Sequence, residues 1–270
     1  MNANNGRIAL ITGASSGIGQ STAIALREAG YTVFGTSRKP VADFNGVTML
    51  VCDVTSDNSV TQMVTSVLKQ AGHIDLLVNN AGIGLLGAAE ESSAAQAQAL
   101  FDVNVFGVIR VTNAVLPSMR QHQSGRIINM SSVLGLIPSP YNALYSATKH
   151  AIEGYSESLD HEVRSMGIRV VLVEPAFTNT SFETNLIKPD QALTVYEAER
   201  LRMYALLQPN ILAGDAPEVV AKAVVKAVAA HTPKRRYTAG RLAAQIRMMR
   251  RFLPEAMMDK GMRKSNGFSN

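Results

Sequence analysis

Two side chains four residues apart carry the strongest chemical signal in the chain: Tyr145 and Lys149, within Tyr145-Ser146-Ala147-Thr148-Lys149. On a helix this spacing places a phenol and an ammonium on one face, where both can meet one ligand. A free phenol has a pKa of about 10 and is a poor base near neutrality. A close ammonium favours the phenolate, and lowering that pKa by about 3 units takes about 4 kcal/mol of differential stabilisation. A phenol tuned in this way suits general acid/base work at an oxygen. The plain alternative is two exposed helix residues. Ser132 weighs against it, because it lies thirteen residues before Tyr145 and just after the β-rich run Arg126–Met130. It therefore projects from a strand end toward the same cleft.

The elements that must position these groups recur along the chain. Apolar β-rich runs cover Arg7–Thr12, Thr32–Thr36, Val47–Cys52, Ile74–Asn79, Arg126–Met130 and Ile168–Val173. Between them lie stretches of helical length, including Ile18–Ala29, Ser59–Ala71, Ala95–Met119 and Leu144–Met166. The strands are nearly continuous in Val, Ile and Leu, as expected when helices cover both faces of a sheet. The expected fold is α/β, a Rossmann-type doubly wound parallel sheet of about seven strands, which binds ligands beyond the carboxyl ends of its strands.

Residues of chemical interest fall at those ends. The first strand leads into Thr12-Gly13-Ala14-Ser15-Ser16-Gly17-Ile18-Gly19 and then a helix. Glycines there allow a tight turn and close approach of a pyrophosphate to the helix N-terminus. The second strand ends Gly35-Thr36-Ser37-Arg38-Lys39, with no carboxylate to hold ribose hydroxyls. Ser37 and Arg38 instead suit a 2′-phosphate, which points to NADP(H). Asp53-Val54 closes the third strand and Asn79-Asn80-Ala81-Gly82 the fourth, a tetrapeptide that by itself could be a turn.

The TGxxxGxG loop, the NNAG at a strand end and Ser132 with Tyr145 and Lys149 resemble the short-chain dehydrogenase/reductase family. The resemblance spans about Arg7 to Thr180 and is nearest to its 17β-hydroxysteroid/retinol-dehydrogenase-like branch. It implies that Tyr145 is general acid in reduction and base in oxidation of a carbonyl/alcohol pair. It further implies that Ser132 hydrogen-bonds the substrate oxygen and Lys149 holds the nicotinamide ribose. Asn104, in Phe101-Asp102-Val103-Asn104-Val105-Phe106-Gly107, matches the helix Asn that holds a proton-relay water. The cofactor contacts implied are Gly13, Ser15, Ser16, Gly17, Ile18, Gly19, Ser37, Arg38, Asp53, Val54, Asn80, Ala81, Gly82, Tyr145, Lys149, Pro175, Thr178 and Thr180. Ala176 stands where the family's PGxxxT has Gly. Ser131 is one residue off the expected spacing.

Residues 181–213 lose the strand–helix punctuation but keep Phe182, Leu186, Tyr196, Met203 and Tyr204. By resemblance this is a substrate lid, and Leu134, Tyr141 and Phe182 are the expected substrate contacts, for a small hydrophobic carbonyl or alcohol. An amphipathic helix packed on the core explains many of the same residues.

The 270 residues suffice for a single dinucleotide-binding and catalytic domain, residues 1–270. Cys52 is the sole cysteine and the five histidines show no ligand spacing, so neither a disulfide nor a metal is expected. The net charge of +5 is concentrated: residues 234–264 hold ten basic side chains against Glu255 and Asp259. That distribution argues against a nucleic-acid-binding body. The basic extension, about 240–270, is taken as a terminal helix packed near the substrate entrance or a neighbouring subunit, with membrane-surface contact as the alternative. The polar Met1–Gly6 start does not read as a signal peptide, and no apolar run approaches the roughly 20 residues of a membrane span, so a cytoplasmic location is expected. The resemblance implies a homodimer or homotetramer. A non-catalytic nucleotide-sensing regulator of the same fold is the alternative function, and its mark would be loss of Tyr, Lys or Ser.

Overall fold

The computed structural model describes residues 6–268. Met1–Asn5 of the polar N-terminal segment and Ser269–Asn270 of the basic extension lie outside the described residues. In chain order the elements are β1 (Ile8–Ile11), α1 (Gly17–Glu28), β2 (Thr32–Ser37), β3 (Val47–Val51), α2 (Asp57–Ala71), β4 (Leu76–Asn79), α3 (Ala94–Phe101) and α4 (Gly107–Gln121). They continue with β5 (Gly125–Met130), α5 (Ala143–Val163), β6 (Ile168–Pro175), α6 (Ser181–Thr184), α7 (Glu197–Leu212), α8 (Pro217–Ala229), β7 (Arg236–Ala239), α9 (Arg241–Phe252) and α10 (Glu255–Ser265).

The strands form one seven-stranded sheet, ordered β3-β2-β1-β4-β5-β6-β7, with every neighbouring pair parallel. Alternation along the strands divides the interior into two cores. Ile8, Leu10, Leu77, Ile127 and Val170 face a layer that includes Val64 and Val67 of α2, Val111 and Val115 of α4, and Leu159 of α5. Ala9, Ile11, Val78, Ile128 and Val171 face Ala23 and Leu26 of α1 and Val220 and Val224 of α8. Strands buried on both faces carry no polar alternation, hence their uniform apolar sequence. The chain reverses direction across the sheet between β1 and β4, which opens a crevice at the carboxyl ends.

Three features add to the sequence reading. The seventh strand, β7, arises from the basic run and begins at Arg236, so the extension starts only after the sheet is complete. Within the expected lid, α7 is a regular sixteen-residue helix. The run from Ala94 to Gln121 is a continuous helix with a π turn at Asp102–Phe106. By length and composition that run could cross a membrane, but Val108, Val111, Val115 and Met119 bury one side of it in the core.

A buried polar ladder ties four central elements together. Asn79 Nδ2 donates to Asn129 Oδ1 at 2.9 Å and to Thr112 Oγ1 at 3.0 Å; Asn129 Nδ2 donates to Ser156 Oγ at 2.8 Å. These are neighbouring strand ends plus α4 and α5, so the ladder sets the height of both helices against the sheet.

Candidate active site

The glycine loop is shaped by what a side chain would strike. A Cβ on Gly19 would sit 2.1 Å from the Gly13 carbonyl oxygen and 2.5 Å from Asn80 Nδ2. Gly13 and Gly17 have positive φ (67° and 54°), which costs an L side chain conformational strain. Asn80 Nδ2 donates to Thr12 O and Gly13 O at 3.1 and 2.9 Å, while Asn80 N and Ala81 N donate to Thr12 Oγ1, each at 3.0 Å. The NNAG segment is therefore a brace that holds the loop, and Asn80 spends its amide on loop carbonyls. Thr12 completes that brace, a role signalled only by its place at the head of the glycine run.

The loop delivers the start of α1. Ser16 occupies the N-cap without a side-chain cap bond, and the first turn carries no acidic residue. The unsatisfied N–H groups and the positive end of the helix dipole at such a terminus fit a pyrophosphate. At the next strand end Ser37 Oγ accepts only a long 3.4 Å bond from Lys39 N, and Arg38 is exposed. Asp53 accepts from Thr55 N and Thr55 Oγ1 at 3.0 and 2.8 Å. Those bonds, then the nearby Arg38 and Arg110 charges, outweigh burial and hold its carboxyl below the ordinary range. Val54 is buried and closes on Gly107.

Tyr145 and Lys149 lie on successive turns of α5, with Lys149 Nζ 5.5 Å from the centre of the Tyr145 ring. Lys149 is 8 % exposed and donates to Met130 O at 2.9 Å, which pins the ammonium to the end of β5. Burial pushes its pKa down to about 8, against a raising influence from Glu153. Ser132 follows β5, is half-buried, and accepts from Leu134 N at 3.1 Å. Ser131 is buried instead, and its hydroxyl and the Glu153 side chain both close on Gly135.

Asn104 sits inside the π turn. Its Oδ1 accepts from Ile83 N and its Nδ2 donates to Ile83 O, both at 2.9 Å; Nδ2 also reaches Thr148 Oγ1 at 3.3 Å. Thr148 Oγ1 in turn donates to Tyr145 O at 2.7 Å, so Asn104 braces the turn of α5 that carries Tyr145. π turns frequently mark functional sites, but nothing in residues 102–106 announces one in the sequence.

Behind Lys149 lies a charged cluster that sequence reasoning missed. Arg236 of β7 donates through Nε to Glu153 Oε2 at 2.7 Å and through Nη1 to Glu157 Oε1 at 2.5 Å. Glu174 is wholly buried at the end of β6, with Arg236 Nε 3.1 Å from its Oε1 but no hydrogen-bond donor to either oxygen among the described residues. Burial and the Glu153 charge raise its pKa to about 7. Glu153 and Glu157 follow Lys149 at helical spacing, the one trace of this cluster in the sequence.

The segment after β6 crosses above. Pro175 ends β6, and the buried Thr178 donates to Ala176 O at 3.3 Å, bracing a loop in which Ala176 is accommodated. Thr180 lies against Gly17, whose added Cβ would be 3.2 Å from Thr180 Cβ. Phe182 reaches the Tyr145 ring, centroids 6.0 Å apart. Gly84 and Gly87 have room only for Leu186 and Pro189 of the strap. Glu91, fully buried, accepts from Leu193 N at 2.9 Å and pairs with Arg200 of α7; these contacts hold its carboxyl low against the cost of burial. Tyr141 stacks on Phe268 at 6.5 Å and meets Tyr196 edge-on at 6.3 Å. Leu134 is half-buried in the turn after Ser132. Cys52 is buried, with its thiol pushed up to about 11, and among the described residues no group of His, Cys, Asp or Glu is placed to hold a metal ion.

A doubly wound sheet with a glycine loop at its crevice, and a Tyr–Lys pair across from it, defines a dinucleotide-dependent enzyme of the proton- and hydride-transfer class. The family model described as short chain dehydrogenase matches residues 7–191, and the chain belongs to that family, whose members are oxidoreductases acting on CH–OH or C=O with NAD(P). It is 40 % identical over 260 residues to the 3-ketodihydrosphingosine reductase of Bacteroides thetaiotaomicron, covering 95 % of this chain and 97 % of that one. Identity to retinol dehydrogenase 8 of Bos taurus is 38 % over 258 residues, 86 % and 81 % of the two chains. A Burkholderia phymatum short-chain dehydrogenase/reductase in complex with NAD superposes with a TM-score of 0.78 at 27 % identity, covering 93 % and 95 %. One from Burkholderia cenocepacia in complex with NADP gives 0.76 at 25 % identity, covering 94 % and 97 %.

Proposed function

We propose that this enzyme uses NADP(H) to interconvert a hydrophobic carbonyl compound and its secondary alcohol, with Tyr145 as general acid/base. The observation that carries the reading is the buried Lys149 held beside Tyr145 by the Met130 carbonyl, across from the uncapped start of α1. Gly13, Ser15, Ser16, Gly17, Ile18 and Gly19 would hold the pyrophosphate, Ser37 and Arg38 the 2′-phosphate, and Asp53 the adenine end. Lys149 would hold the nicotinamide ribose. When bound, the nicotinamide supplies or accepts the hydride. The chain does the rest. Ser132 orients the substrate oxygen, Tyr145 gives that oxygen a proton in reduction and removes it in oxidation, and the Lys149 charge keeps the phenolate within reach.

NADP over NAD rests on Ser37 and Arg38 standing where a carboxylate would repel the extra phosphate. A hydrophobic substrate is supported by Phe182 and Leu186 above the site. The names of the two relatives point the same way, since 3-ketodihydrosphingosine and retinol are both largely hydrocarbon. The same reading carries assembly as a homodimer or homotetramer through α4 and α5, which size-exclusion chromatography with light scattering tests. The deciding experiment follows NADPH and NADH consumption over long-chain keto, retinoid, steroid and short aliphatic carbonyls. Turnover of apolar ketones with NADPH supports the reading; tight NADPH binding with no turnover of any carbonyl assigns the chain to nucleotide sensing instead.

A further inference from the structure

The basic extension has two faces with different fates. Ala243 and the half-buried Ile246 turn toward the body, and Arg247 Nη1 donates to Arg236 O at 3.3 Å, which fastens α9 to β7. The far end is fastened too: Arg202 of α7 donates to Asn266 O at 2.7 Å and covers the Phe268 ring at 4.9 Å, and Phe268 lies on Tyr141. The terminal helices therefore pack against β7, α7 and Tyr141, and this uses only their inner faces.

The outer face of α9 carries Arg241 and Gln245 at its start and exposed apolar side chains toward its end. Positions 241, 245, 248 and 252 share that face by helical spacing. Met248 is 58 % exposed and Phe252 66 %, and Met249, Leu253 and Met257 continue the apolar surface into the turn and α10. A shallow depression on α9 is lined by Arg241, Ala244, Gln245, Met248 and Met249. Cations edge this surface: Arg251 lies over the Phe252 ring at 5.5 Å, and Arg241, Arg250, Lys260 and Lys264 are exposed. Residues 241–265 hold seven basic side chains against Glu255 and Asp259.

We propose that the outer face of α9 and its turn into α10 dock this protein on an anionic lipid surface. An amphipathic helix with Met, Leu and Phe on one side and Arg and Lys at its flanks sinks its apolar side chains to the acyl boundary, while the cations meet lipid phosphates. Exposed apolar side chains massed in one place mark an interaction surface. A second copy is the poorer occupant, because a two-fold contact through this face sets each copy's arginines against the other's. Docked in this way, the extension that also carries Phe268 stands between the lipid phase and Tyr141, beside the strap over the site. The proposal does not depend on the NADP(H) reading.

The test is co-sedimentation of the purified full chain with vesicles of phosphatidylcholine alone and of phosphatidylcholine mixed with phosphatidylglycerol. The expected result is binding to the anionic vesicles only, weakened by salt. Met248→Ser with Phe252→Ser should reduce that binding about tenfold, and Arg250→Glu with Arg251→Glu should abolish it. These side chains are exposed, so the thermal midpoint should hold, and circular dichroism confirms the fold. Three results each overturn the proposal: no binding to anionic vesicles, equal binding to phosphatidylcholine alone, or undiminished binding by the Met248/Phe252 variant. Self-association in solution that the same variant abolishes, without vesicle binding, assigns the face to a second copy.

Discussion

The two walls of the crevice are built in opposite ways. On the loop side, residues 12–19 are held by backbone and a few short side chains, with Asn80 gripping Thr12 O and Gly13 O, the Thr12 hydroxyl accepting from Asn80 N and Ala81 N, and no space for a Cβ at Gly19. On the strap side, residues 180–212 keep a short backbone bridge at Ile187, and side chains do most of the holding: Glu91 with Arg200, Ser93 with Asp190, and Tyr204 donating to Leu86 O at 3.1 Å. A backbone-made wall recognises a shape common to every dinucleotide. A wall of side chains can change its lining without disturbing the sheet, which is where a family can vary its substrate.

The comparison can be broken or sharpened experimentally. Tyr145→Phe, which sits between the walls, should lower kcat/KM by about 10²–10⁴-fold with the dissociation constant for NADPH unchanged. Turnover close to wild type would remove the phenol from the chemistry. Gly19→Ala should weaken NADPH binding by about 3 kcal/mol or prevent folding, since the new carbon meets backbone that cannot rotate away. Near-normal binding measured by fluorescence titration would show the loop to be as pliable as the strap.

Glu174 gives a pH signature that belongs to neither wall. Its folded pKa of about 7 lies above the unfolded value, so its contribution to stability is full below about pH 4.5 and is lost as pH rises through 7. Glu174→Gln should therefore raise the unfolding free energy relative to wild type above pH 7, by an amount on the order of 1–3 kcal/mol read from denaturant titration, and not at pH 4. A difference that is the same at both pH values would contradict the buried, strained carboxylate. Glu91→Gln should loosen the strap alone, raising KM for the carbonyl about tenfold while NADPH affinity holds. Equal loss of both would mean the walls are mechanically one. Ser37→Asp should shift the NADPH/NADH preference about tenfold toward NADH through repulsion of the 2′-phosphate. An unchanged ratio in initial rates would place that phosphate elsewhere.

The same division governs what the sequence reveals. Six of seven strands, the glycine loop and the Tyr–Lys spacing are legible, because they rest on local backbone rules and on periodicity. β7 is not legible, because four residues beginning at Arg236 look like a charged tail until Arg236 finds three carboxylates from α5 and β6. The π turn around Asn104 and the Glu91–Arg200 pair are also hidden, since their partners lie 21 and 109 residues away along the chain. Asn80 has a role that the motif does not spell out, since its amide donates to Thr12 O and Gly13 O and braces the loop.

Thr180 is where the two walls touch, its side chain resting on Gly17 at the turn into α1. Any molecule that moves Gly17 on settling against α1 also moves the point from which the strap departs. Occupancy of one compartment is then felt in the other, and thermodynamic reciprocity makes the influence equal in both directions.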